Sequence, residues 1–258
     1  MAVEAGIVTG VSVNEVPLWA TGATLTESSE VRLVRAVKSM VPLDSFPAKV
    51  TISGSVPFIV SEKVTIDLIN PTANVLTDFA VIVGTKSHTG CKASNLTLNA
   101  AVGEELKGSI AWQGLALTTG VNPAVGTGNA FKCIKITATA LGTYTPISVD
   151  LTVDNGLTVI HAMNETGARV PVAIAEGFQT VSFNAKLSQI NTLPVDITAA
   201  DLAKIASVTM AFEDTQDSPD SLTITLTNCT AEEASLEQSP EDIVKYGINY
   251  KAETIAFA

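Results

Sequence analysis

Two histidines, three cysteines and one run of acidic residues are the side chains whose type could support chemistry. His88 and His161 stand beside no cysteine pair and in no His-Glu-x-x-His spacing, so a zinc site is not expected. Glu213, Asp214, Asp217 and Asp220 crowd one turn but lack the spacing and the glycine of a calcium loop. Cys91, Cys133 and Cys229 are odd in number and read as small buried thiols made in a reducing compartment. No phosphate loop, nucleophile elbow or dinucleotide fingerprint occurs. The inventory therefore predicts no catalytic site, no cofactor and no metal. The sequons at Asn95, Asn164 and Asn228 are read as chance, because residues 1–5 do not begin a secretory leader.

Charge narrows the remaining classes. The 258 residues carry 15 Lys+Arg against 26 Asp+Glu, a net charge of −11. A surface that acidic does not grip nucleic acid, whose phosphates need Lys and Arg. It can let a polyanion pass without sticking. Only 16% of residues are charged, and the mean hydropathy is +0.34. Such a chain is expected to bury much of its surface against neighbours. No segment has the length of a membrane helix.

The elements that would position these residues are strands. Period-two alternation predicts strands over 6–13, 23–28, 49–58, 79–85, 95–100 and 109–117. It predicts further strands over 131–140, 148–154, 179–187, 208–212, 221–227, 234–238 and 246–255. One short helix is expected after Ser61, over 62–68, and another after Thr198, over 199–206. The two sets of strands repeat. Cys91 matches Cys229, Leu98 matches Leu236, Ile110 matches Ile248 and Trp112 matches Tyr250, each pair 138 positions apart (229 − 91). Val50, Ile52, Gly54 and Val56 are matched with Val181, Phe183, Ala185 and Leu187 (offset 131), and Leu25 with Leu151 (offset 126). The prediction is a mainly β, α+β chain of two tandem homologous units, residues 1–121 and 122–258, each an antiparallel sandwich able to join a barrel. A glycine-rich seam at 120–129 divides them.

The run LTVDNGLTV from Leu151, then GARVP from Gly167, then GFQTVSF from Gly177, resembles the second domain of tail tube proteins of long-tailed phages. The stretch GCKASNLTLNA from Gly90, followed by LKGSIAW from Leu106, is similar to the end of a first tube domain. The likeness covers nearly the whole chain and rests on apolar alternation and glycines. It implies a structural virion protein without chemistry of its own. Its rings, trimeric and pseudo-sixfold because each chain carries two domains, would stack into a hollow tube for DNA passage. The partners implied are further copies of the chain and tail proteins such as the terminator, tape measure and tip. DNA would cross the lumen transiently, without specific binding, and no membrane is involved. The location implied is the virion tail, assembled in the host cytoplasm.

If the terminal hairpins line such a tube, alternation assigns their faces. Leu96, Leu98, Ile110, Trp112, Ala234, Leu236, Ile248 and Tyr250 are expected in the core. Asn95, Thr97, Asn99, Gln113, Glu233, Ser235, Glu237, Asn249 and Lys251 would face the lumen, which would be polar, net negative and free of aromatic platforms. A solvated sheet face explains each of these residues as well. Arg32, Arg35 and Lys38 are placed in a basic loop, expected to meet Glu213, Asp214, Asp217 and Asp220 where rings stack. The loops at 27–49 and 155–176 are expected to order on stacking. Two other readings remain: a β-rich surface adhesion module, and the inner tube of a contractile injection system.

Overall fold

The computed structural model describes residues 10–34, 44–126, 129–132, 146–162, 171–188, 205–214, 221–237 and 245–258. Arg35, Lys38, Cys133, Asn164, Asp217, Asp220 and residues 199–204 of the second expected helix lie outside them, as do the side chains of Arg32, Glu213, Asp214, Leu236 and Glu237. Among the described residues strands dominate, beginning with the short β1 (Val11–Val13), β2 (Val16–Pro17) and β3 (Trp19–Ala20), all ladders are antiparallel, and there is one short helix.

β-branched residues alternating with small polar ones build a sheet with one greasy and one polar side. Eight strands lie side by side: β4 (Thr24–Val34), β5 (Asp44–Ile59), β8 (Lys107–Gly114), β7 (Lys86–Ala101), β11 (Pro146–Asp154), β14 (Thr180–Ser188), β17 (Lys245–Ala252) and β16 (Ser221–Glu237). Its two halves are joined by the β7–β11 ladder, from Asn95↔Asp154 to Ala101↔Ser148.

The ladders of the second half repeat those of the first. In β7–β8 the pairs run from Lys92↔Gln113 to Asn99↔Lys107, with a bulge between Ala93 and Asn95. In β16–β17 they run from Thr230↔Lys251 to Glu237↔Lys245, each member 138 positions on, with the bulge between Ala231 and Glu233. The β5–β8 pairs Ile52↔Gly114 through Ile59↔Lys107 recur in β14–β17 as Val181↔Ala252 through Ser188↔Lys245. The outer pair Leu25↔Gly54 recurs as Leu151↔Phe183. This fixes the β5-to-β14 offset at 129 (183 − 54), correcting the expected 131. A slip of two residues leaves every side chain on its face, so alternation alone is blind to it.

Both long strands bend at equivalent points. The start of β7 pairs with β6 (Phe79–Val83) and β9 (Ala116–Thr119), while its end pairs with β8 and β11. The start of β16 likewise pairs with β15 (Ile205–Asp214) and β18 (Thr254–Phe257). The backbone enters the left-handed region at Gly90 (φ +58°) and, 138 positions later, at Asn228 (φ +52°). Glycine and asparagine are the residues that adopt this conformation most readily. Each long strand thereby folds its apolar side over the eight-stranded sheet. One connected core results, in which Leu96, Ile110, Ile248, Val56 and Ala185 are fully buried beside Trp112, Phe183 and Tyr250.

Several expectations change. The helix α1 (Lys63–Asp67) forms within 62–68, but the expected second helix ends in strand, since Ile205 begins β15. Arg32 lies in β4, paired at Phe46, and not in a loop. Glu213 and Asp214 end β15, paired with Lys132 and Phe131 of β10 (Phe131–Lys132), and so are strand residues and not turn residues. The 27–49 segment is largely the β4–β5 hairpin. Within 155–176, β12 (Thr158–His161) and β13 (Pro171–Ala175) form a separate two-stranded sheet. Short polar-flanked strands and a long hairpin carry too few alternating apolar positions to stand out from loop.

Candidate functional site

The functional candidate is the polar side of the eight-stranded sheet, built by the residues that alternate with the core. Directly opposite residues of neighbouring strands share a face, so the ladders define continuous rows. One row runs Lys107, Asn99, Asp150, Asn184, Asn249, Glu233 across six strands. Another runs Pro57, Ser109, Thr97, Thr152, Ser182, Lys251, Thr230 across seven. A third runs Thr24, Ser55, Ala111, Asn95, Asp154, Thr180. Gln113 sits between Ser53 and Lys92, and Ser235 is opposite Gly247.

The expected lumen residues Asn95, Thr97, Asn99, Gln113, Glu233, Ser235, Asn249 and Lys251 therefore share one face, and Glu237 holds a ladder position on it. Their core counterparts Leu96, Leu98, Ile110, Trp112, Ile248 and Tyr250 are buried, while Ala234 is half-buried at the outermost strand. Side chains cross-link the face. Asn99 Nδ2 donates to Asp150 Oδ1 at 2.7 Å, Asn184 Nδ2 to Asn249 Oδ1, and Asn249 Nδ2 to Glu233 Oε2 at 3.0 Å. None of the three rows contains an aromatic residue.

The charges of the face are mixed: to the expected Lys251, Glu233 and Glu237 the ladders add Lys107, Lys186, Asp150 and Asp154. Lys186 lies opposite Gly247, which is in turn opposite Ser235. The missed lysines lie on strand ends and on β14, beyond the residues assigned from the hairpins. The surface offers mixed charge, hydroxyls and amides, which suits contact with water or a passing solute without a fixed binding point.

Where the two halves meet, polar groups are buried and satisfied. Asn155 Nδ2 donates to the carbonyls of Ile69 and Ala93, both at 2.9 Å, and its Oδ1 accepts from Gln179 Nε2 at 3.0 Å. Lys92 Nζ is held 2.6 Å from Glu176 and 3.3 Å from Asp78, and donates to the Leu76 carbonyl at 2.9 Å. Burial opposes charge on Lys92, but the two carboxylates prevail and raise its pKa. Glu176 is correspondingly lowered: burial would raise it, but the Lys92 and Leu76 hydrogen bonds outweigh that. These contacts fasten the end of β13 to the first half.

His88, fully buried, accepts a hydrogen bond at Nδ1 from Trp112 Nε1 (3.2 Å), which leaves its proton on Nε2, 3.9 Å from Glu27 Oε1. Burial lowers its pKa, and Glu27 only partly opposes this. Positions 138 later are Leu226 and Tyr250, so the His–Trp pair is replaced by leucine and tyrosine. That exchange marks a packing position. His161 is half-buried, its Nε2 2.8 Å from the Val50 carbonyl. Among the described residues no group of three His, Cys, Asp or Glu could hold a metal, and no helix is long and apolar enough to cross a membrane. A scan against protein-family models gives no match, and a search of the curated proteins gives none either.

Proposed function

We propose that this chain is a structural subunit of a phage-type tail tube, internally duplicated as units 1–121 and 122–258, whose copies close into rings and stack. The observation that carries the reading is the ladder register: the β5–β8 and β7–β8 pairings recur in β14–β17 and β16–β17, the bulge of β7 included, and the β4–β5 pairs from Thr24↔Ser55 to Ser28↔Thr51 recur in β11–β14. Two like units in one continuous sheet form a third of a pseudo-sixfold ring. Three chains of eight strands would then close a barrel of 24 (3 × 8). Closure also removes the open sheet edges that an isolated subunit would carry.

The polar rows would line the lumen. With cations and anions interspersed and no aromatic platform, such a wall gives DNA neither a phosphate clamp nor a stacking surface. Arg32, Arg35 and Lys38 on one side, and Glu213, Asp214, Asp217 and Asp220 on the other, would set the register of stacked rings. The chain would then do no chemistry, and its partners would be itself and the proteins that start, measure and cap a tail. Its place would be the virion tail. Negative-stain microscopy at rising protein concentration tests this: the expected result is hollow tubes of uniform diameter. Persistent monomers would favour the adhesion-module reading.

A further inference from the structure

The chain joins its two like halves by one strand pairing. At the centre of the eight-stranded sheet, β7 of the first half pairs with β11 of the second. By the ladder offsets, β16 is the equivalent of β7 (+138) and β4 is the equivalent of β11 (−126). These are the two outermost strands of the sheet, and among the described residues β4 pairs only with β5 and the 230–237 stretch of β16 only with β17. We infer that β16 of one copy pairs antiparallel with β4 of a second copy in the register of the internal β7–β11 ladder. The inference rests on the self-assembly proposed above and adds to it the partner strand and the residue pairs.

Transposing the internal pairs gives the junction directly. Asn95↔Asp154 becomes Glu233↔Ser28, Leu96↔Val153 becomes Ala234↔Glu27, and Thr97↔Thr152 becomes Ser235↔Thr26. Leu98↔Leu151 becomes Leu236↔Leu25, and Asn99↔Asp150 becomes Glu237↔Thr24. No two like charges face each other in this set, and the leucine pair is retained. Glu27, opposite Ala234, already has Lys86 at 3.5 Å. Burial records what is missing at the edges. Leu96 and Leu151 are 0% and 2% exposed, whereas their equivalents Ala234 and Leu25 are only half-buried. A neighbouring strand covers the first two and not the second two.

The test uses full-length chains carrying Thr26→Cys or Ser235→Cys, one lengthened by a tag so that mixed dimers are identified by size. Both positions are exposed, and far-UV circular dichroism and melting check that each variant folds. Residues directly opposite across a ladder lie within disulfide reach, whereas a partner two positions away does not. Under mild oxidation the Thr26→Cys and Ser235→Cys chains should form mixed disulfide dimers at least about tenfold more than Thr24→Cys with Ser235→Cys. Thr97→Cys with Thr152→Cys in one chain, the internal equivalent, should close within the chain and calibrates the reaction. Absence of the mixed dimer while that internal bond forms, or equal yield from Thr24→Cys, would overturn the register. Microscopy of the parent chain separates the two levels: tubes without the mixed dimer reject this pairing alone, and the mixed dimer without tubes rejects the tube alone.

Discussion

Cys91 and Tyr250 show how individual side chains tie this fold to pH. Burial pushes the Cys91 thiol up to about 12, against a hydrogen bond from the Val81 backbone. Burial first, and then Cys229, raises the Tyr250 phenol, whose Oη has no hydrogen-bond partner among the described residues. Both groups therefore hold their protons in the folded chain after the unfolded chain has lost them. Their stabilising effect is complete below the ordinary thiol pKa of 9.0 and is lost as pH rises towards the folded values. Urea unfolding from pH 8 to 11 should show stability falling with pH, by up to about 1.4 kcal/mol per unit for each fully coupled group. Cys91→Ala and Tyr250→Phe should each flatten that fall; an unchanged slope would contradict this account. Neither environment could be read from the sequence beyond the statement that the cysteines are buried. The Trp112–His88 hydrogen bond was equally hidden, because it joins positions 24 apart that meet only across the bend.

At the scale of the element, the bend in the two long strands decides how a flat sheet becomes a closed core. Gly90 and Asn228 occupy the same left-handed conformation at equivalent points. Asn228 is further held by its Nδ2, which donates to Glu253 Oε2 at 2.7 Å. A β-branched residue there resists positive φ, so Gly90→Val should destabilise the chain by about 1–2 kcal/mol. The Leu115 side chain adds to that cost, lying 3.1 Å from where a Cβ would sit. Asn228→Gly should lie within about 0.5 kcal/mol of the parent. Chemical denaturation of both variants checks the contrast, and equal losses would mean that the bend is not set by φ.

Alternation found most strands of the sheet and the core positions Leu96, Leu98, Ile110 and Trp112 of the hairpin β7–β8, because one face is buried and the other is not. It did not show that 86–101 is one strand, since the bend exchanges the surroundings of its two halves. It also missed the two-residue slip between β5 and β14. There the core is complementary in volume: Gly54 faces Trp112, while Phe183 stacks on Tyr250 with ring centroids 5.5 Å apart. Matching by residue type alone set Gly54 against Ala185, small against small. The ladder sets it against Phe183.

For the whole molecule, the consequence of a repeated ladder is a sheet that ends as it is joined. The contact at its middle, β7 with β11, is of the kind its outer strands would make with further copies. An edge of this sort is a hazard for a free monomer and an asset for a part that assembles. The polar face was legible in the sequence as alternation opposite leucines and isoleucines. Its full set of charges was not, because Lys107, Lys186, Asp150 and Asp154 enter it from strand positions that only the ladders connect. Counting chains per ring, by cryo-electron microscopy of assembled tubes with symmetry imposed only at threefold, tests the central proposal most directly. The account predicts three chains around the axis, each contributing two similar but distinguishable wedges. Six chains per ring, or an assembly without a hollow axis, would contradict it.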